Sequence, residues 1–266
     1  MGVEASQTLV PERLRLLRIP LDIIHPEELG DFIFELLKNK AGHIKAVVNN
    51  TAEGKNIVLL SLWDLLKARR NREYRSYVIN ASLVVPISKS LVNGARFLRN
   101  KTPVRYMPFH FAIALLSILE SREYTVYLLG GDEKILKRAE NNIHQTFPRL
   151  RIIGRCRASF SKQDEDAVVE AIRKTAPQLL LVGKGVKGGE LWINRNHRKL
   201  NSGIRIWCSD LFDVFAERKR RPSETIFDLG LEGIGYCFRN PLKFLRIIPY
   251  FRYKILLLIY KIFDRD

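Results

Sequence analysis

Thr125-Val-Tyr-Leu-Leu-Gly130-Gly131 and Leu179-Leu-Leu-Val-Gly183-Lys-Gly185 decide the fold of this chain. Each is a short apolar run that ends in glycines, and helix-like sequence follows. Continuous apolar runs of this length, bounded by turn signals, read as strands buried on both faces, the kind found in parallel sheets. Glycine turns at the carboxyl ends of such strands are where α/β proteins hold phosphates and sugars. The next helix presents free N–H groups there, together with the positive end of its dipole.

Further strands are expected at His43–Val48, Ser82–Val85, Leu150–Ile153 and Ile204–Trp207, with helices at Lys134–Phe147 and Gln163–Thr175. Strands alternating with helices imply crossover units and an α/β fold with a mainly parallel sheet flanked by helices. Leu17–Ile24 reads as a short extended segment. His25-Pro-Glu-Glu28 opens a helix, since proline suits the first turn and acids suit the positive dipole end. The expected organisation is a flexible tail over 1–14, a core over 15–216 and an appendage over 217–266. The appendage begins with Glu217-Arg-Lys-Arg-Arg-Pro222. From Tyr236 to Phe263 it carries Arg239, Lys243, Arg246, Arg252, Lys254 and Lys261, no acid, and many interleaved aromatics. Pro241 and Pro249 divide it into short helices. Lipid is one partner that suits it: aromatics in the membrane interface and cations on anionic headgroups. A core-packed helical cap and a nucleic-acid arm are the others, and the aliphatic run Ile255–Ile259 argues against nucleic acid.

The chain has 266 residues, 46% of them hydrophobic, which suffices for one large α/β domain or two small ones. A net charge of +17 calls for an anionic partner or a solvated basic face. Cys156, Cys208 and Cys237 are widely spaced, so no zinc site and no other metal or cofactor is expected. No leader sequence and no membrane-spanning stretch is read, and a reducing compartment is inferred.

The candidate site residues each carry two readings. Gly130 and Gly131 form either a ligand-approach turn or an ordinary tight turn, with Asp132 capping the next helix. In the loop Gly183–Glu190, Gly183 and Gly185 allow close approach, Lys184 or Lys187 neutralises a phosphate, and Glu190 binds sugar hydroxyls; the alternative is a surface loop. Asp213 is a ligand contact or an N-cap. Asn49 and Thr51 contact a sugar or base, or make a turn. His110 is a base, or a capping or packed histidine.

With these residues quoted, the chain resembles the WecG/TagA/CpsF glycosyltransferase family over about residues 17–250. The likeness rests on Ile19-Pro-Leu-Asp22, Ala52-Glu53, Asn80-Ala81 and Pro86, then Leu128-Leu-Gly-Gly131, Phe147-Pro148 and Ile153-Gly154. It continues through Leu181-Val-Gly-Lys-Gly185, Glu190, Trp192-Ile193, Phe212-Asp213, Arg220, Pro222, Gly230-Leu-Glu232, Pro241, Lys243 and Arg246. The resemblance implies a Rossmann-like core with a C-terminal helical appendage. It implies transfer of an N-acetylhexosamine from a UDP donor to a polyprenyl-diphosphate-linked acceptor, by a peripheral protein on the inner face of the cell membrane. A homo-oligomer is compatible with it.

The departures from the family pattern fall at the pocket. Where the family carries Pro-Asp-Gly, with the acid as proposed base, this chain reads Pro86-Ile87-Ser88. An aliphatic side chain takes no proton from an acceptor hydroxyl. A family Gly-x-Asp segment falls on Pro108-Phe109-His110, which makes His110 the candidate replacement base. Thr-x-Asn becomes Asn49-Asn50-Thr51, and Pro-Lys-Gln-Glu becomes Lys187-Gly188-Gly189-Glu190. A catalytically silent binding protein is therefore the second expectation.

Overall fold

The structure, a computed structural model, describes residues 10–38, 55–221, 223–230 and 248–263. It opens with a hairpin of β1 (Glu12–Leu16) and β2 (Ile19–Ile23), whose turn places Leu17 and Arg18 at φ 51° and 68°. β1 therefore begins inside the stretch expected as tail. Arg13 explains why: its guanidinium holds the buried Asp22 carboxylate in two contacts of 2.6 and 2.8 Å. Asp22 also accepts from the Val84 N–H at 2.6 Å, which ties the hairpin to the edge of the main sheet.

The chain continues through α1 (Pro26–Lys38), β3 (Lys55–Leu60), α2 (Leu62–Arg70), α3 (Arg72–Ile79), β4 (Leu83–Pro86), α4 (Lys89–Arg99) and α5 (Pro108–Glu120). Then come β5 (Thr125–Leu129), α6 (Glu133–Thr146), β6 (Arg151–Cys156), α7 (Glu165–Thr175), β7 (Leu179–Val182) and α8 (Glu190–Asn196). β8 (Ile204–Trp207), α9 (Leu211–Phe215), α10 (Glu224–Leu229) and α11 (Ile248–Phe263) complete it.

Six parallel strands form one sheet in the order β4-β3-β8-β7-β5-β6. The expected α/β class with a mainly parallel sheet is what the structure shows. The two glycine-ended stretches are neighbours, paired from Val126↔Leu179 to Leu129↔Val182. Side chains alternate along each strand, so both faces are apolar. Val58, Leu60, Val84, Leu129, Leu180 and Val182 pack under α2, α3, α4, α7 and α8. Ile57, Val85, Val126, Leu128, Leu181 and Ile206 pack under α1, α5, α6 and α9.

β3 differs from the sequence expectation. Lys55–Leu60 merges with the apolar start of α2, and no glycine or proline separates strand from helix. The boundary is set by Ser61 and Asp64, a capping box that the run of leucines conceals. His43–Val48, the early strand expected instead, lies outside the described residues, as do Asn49 and Thr51.

α11 packs along α4. Tyr253 and Leu257 are buried against it, and the Tyr253 hydroxyl donates to the Ser90 carbonyl at 2.9 Å. Gly94 makes this possible, since a Cβ there would overlap the Tyr253 hydroxyl. Tyr260 lies against Arg69, whose guanidinium is 5.2 Å from the ring centre. The outer side of α11 is also apolar: Phe251, Ile255, Leu258 and Ile262 are exposed at i, i+4, i+7 and i+11. No helix among the described residues is long and apolar enough to cross a membrane.

Candidate functional site at the strand ends

The candidate residues gather at the carboxyl edge of the sheet. β5 leads into α6 on one face, whereas its neighbour β7 leads into α8 on the other. Adjacent strands leaving to opposite faces leave a crevice between their ends. Gly130, Gly131, Gly183 and Gly185 line this seam. A Cβ on Gly130 would lie 2.8 Å from the Gly183 backbone, and one on Gly183 would lie 2.5 Å from the Phe212 ring. These glycines let two strand ends approach.

The Gly130, Gly131 and Gly183 amides are engaged. The Gly131 N–H donates to the Lys184 carbonyl at 2.8 Å, Gly183 to Leu129 at 2.7 Å, Gly130 to Cys156 at 3.0 Å and Lys184 to Ser209 at 2.8 Å. Asp132 caps α6 by accepting from the Ile135 N–H at 2.9 Å. The turns thus prolong the sheet ladder, and recognition at this seam falls to side chains.

Lys184 provides one. Its Nζ lies 2.6 Å from Asp213 and 3.6 Å from Asp210, and Lys219 contacts Asp210 as well. Asp213 is 3% exposed and stands inside α9. The N-cap position belongs to Asp210, so the capping alternative for Asp213 does not hold. Burial pushes the Asp210 carboxyl up, but the hydrogen bond and charge of Lys219, with Lys184, hold it below the ordinary value. The pair leaves Lys184 half-exposed at the crevice, already oriented.

Glu190 begins α8, with Lys67 of α2 at 3.5 Å. The same Lys67 ammonium lies 4.0 Å from the Tyr74 ring centre. Burial raises the Tyr74 phenol pKa, and the Asp64 and Glu190 charges add to the shift, so Tyr74 stays protonated.

At the β4 end Ile87 offers no acid, and Ser88 Oγ accepts from the Leu62 N–H at 3.1 Å. The loop after α4 returns here, with the Tyr106 N–H donating to the Pro86 carbonyl at 3.0 Å. That return brings His110, in the first turn of α5, to this edge; its side chain is 48% exposed. It is therefore not a packed core histidine, and the N-cap position of α5 belongs to Met107. α10 lies across the same edge. His110 Nε2 is 3.7 Å from Glu224, Arg105 donates to the Phe227 carbonyl and stacks on its ring at 3.6 Å, and Lys89 donates to the Asp228 carbonyl at 2.7 Å.

Arg105, Glu224 and Lys67 were not legible as site residues. Arg105 follows a proline-containing loop with no pattern, and Glu224 reads only as the first helical residue after a serine cap. Arg252 and Lys254 are exposed on α11, whereas Arg239, Lys243 and Arg246 lie outside the described residues. Among the described residues no group of three His, Cys, Asp or Glu side chains could hold a metal ion. Burial pushes the Cys208 thiol up to about 12, which leaves it inert.

The family described as "Glycosyl transferase WecG/TagA/CpsF family" matches residues 14–265 of the chain. A Staphylococcus aureus (strain MW2) protein is 23% identical over 190 residues, which cover 71% of this chain and 74% of that protein. A second, from S. aureus strain NCTC 8325 / PS 47, is 23% identical over 193 residues with the same coverage. Both are named N-acetylglucosaminyldiphosphoundecaprenol N-acetyl-beta-D-mannosaminyltransferase.

Proposed function

The chain belongs to the WecG/TagA/CpsF glycosyltransferase family, and from that membership we propose that it moves an N-acetylhexosamine-type sugar from a UDP donor to a polyprenyl-diphosphate-linked acceptor in cell-envelope polysaccharide synthesis. The observation that carries this reading is the family match over residues 14–265, which spans both the crevice and α11. The names of the relatives support the lipid-diphosphate acceptor.

In this reading the donor lies at the seam of β5 and β7. Gly130, Gly131, Gly183 and Gly185 allow it to approach, Lys184 meets the diphosphate, and Glu190 and Asp213 address sugar hydroxyls. Asn49 and Thr51, in the stretch that replaces the family's Thr-x-Asn, contact the sugar or base of the donor. His110 takes the proton from the acceptor hydroxyl, a step for which imidazole is suited near neutrality. The protein is peripheral on the inner membrane face. The outer stripe of α11 enters the interface, and Arg252 and Lys254, with Arg239, Lys243 and Arg246, contact anionic headgroups.

A panel of UDP-sugars with a short-chain polyprenyl-diphosphate-N-acetylglucosamine acceptor tests this. Acceptor-dependent UDP release with at least one donor is the expected result, and none with any donor overturns it. Ile87 at the family's acid position favours a second reading, a silent binder that retains UDP-sugar affinity without turnover. The same panel, read by calorimetry, separates the two.

A further inference from the structure

α4 starts at the strand-end crevice and runs away from it for 11 residues, so its last turn lies about 15 Å from the site just described. There α4 and the end of α11 enclose an open groove of about 960 Å3, lined by Asn93, Arg96, Phe97, Arg99, Asn100 and Lys261 among others. Among the described residues, every charged side chain that lines it is a cation. Lys261 Nζ donates to the Phe97 carbonyl at 3.1 Å, and Arg96 Nε to Thr102 Oγ1 at 3.3 Å. Such neutral acceptors orient the two cations without cancelling their charge. Phe97 is 42% exposed at the rim, and Leu258 and Ile262 of the apolar outer stripe are exposed on the last turns of α11, beside Lys261.

We propose that this groove binds the phosphate of an anionic phospholipid headgroup. The charge complementarity and the apolar stripe beside it point to one occupant, whose phosphate meets Arg96, Arg99 and Lys261 while its acyl chains follow α11. Asn93 and Asn100 supply amide donors to the headgroup. The inference rests on the reading of α11 as a membrane-facing helix. It adds to Lys261 two cations outside the basic set of the sequence analysis, Arg96 and Arg99, on the end of α4 remote from the chemistry.

Sedimentation with phosphatidylcholine vesicles, with and without phosphatidylglycerol, tests it on the full chain. Three variants are compared: a groove variant (Arg96→Gln, Arg99→Gln, Lys261→Gln), a charge-matched control far from it (Lys134→Gln, Lys137→Gln, Lys162→Gln), and a stripe variant (Phe251→Ser, Ile255→Ser, Leu258→Ser). At about fivefold per cation near the surface, the groove variant should lose about 100-fold in partitioning to phosphatidylglycerol vesicles, and the control much less. Circular dichroism melts confirm that both remain folded, and Arg96→Lys with Arg99→Lys should retain most of the binding. Equal losses in groove variant and control overturn the site in favour of diffuse charge. Phosphatidylglycerol preference that survives in the groove variant while the stripe variant loses all binding overturns the site and leaves the membrane reading standing. A wild type that binds neither vesicle overturns both. Displacement by millimolar inorganic phosphate would make the groove a free-phosphate site and overturn the lipid assignment.

Discussion

The β5–β7 seam and the β4 end lie on one edge of one sheet, yet they are built differently. At the seam, glycines bring two strands so close that their backbones complete each other's hydrogen bonds. The charges there, Lys184 and Asp213, are paired and partly buried. At the β4 end, backbone bonding also prolongs the sheet, but the side chains above it are polar: His110 and, from α10, Glu224 are open to solvent, and Arg105 is held against Phe227. The contrast teaches that a glycine-ended strand is a condition for close approach and not itself a phosphate cradle. In the proposed reaction the seam holds and orients the donor, and proton transfer falls to the side formed by β4, α5 and α10.

The comparison can be broken first at Gly130. Ala there forces a Cβ to 2.8 Å from backbone that cannot yield, at φ 141°. A loss of about 4 kcal/mol in denaturant unfolding is expected. Arg13→Ala is next. It strands the buried Asp22 carboxylate beside β4, with an expected cost of about 3 kcal/mol by the same measurement. Gly131→Ala is the internal control for the seam. Its nearest neighbour is 3.8 Å away, so only the φ of 63° opposes it, and about 1 kcal/mol is expected. A cost for Gly131→Ala equal to that of Gly130→Ala would show that the seam is not held by close approach. The smallest effect concerns pH. The Asp210 carboxyl is held below its ordinary value of 3.8, so its contribution is present above that value and fades as pH falls through the lower folded one. Because Asp210 is more than a third exposed, Asp210→Asn should flatten the acid limb of the Tm–pH curve only slightly.

Much of the fold was legible because its signals are local. Five of the six main-sheet strands carry apolar runs bounded by turn chemistry, and α6 and α7 fall within two residues of the expected spans. β3 was hidden because its sequence runs into α2 without a breaker. The hairpin was half-hidden because Arg13 finds its partner nine residues on, a pairing no periodicity reports. At the site, glycines and acids were visible as residue types, but their partners were not. That Lys184 is held by Asp213 depends on β7 and β8 being neighbours. That Glu224 stands near His110 depends on α10 folding back over a strand more than a hundred residues earlier in the chain.

In the proposed reaction His110, at the β4 side of the crevice, takes the acceptor proton in place of the missing acid. Acceptor-dependent UDP release by His110→Ala, measured beside the wild type at matched Tm, tests it most directly. A fall in kcat of about 100-fold or more at unchanged stability is the expected result. Unchanged turnover in His110→Ala would contradict it.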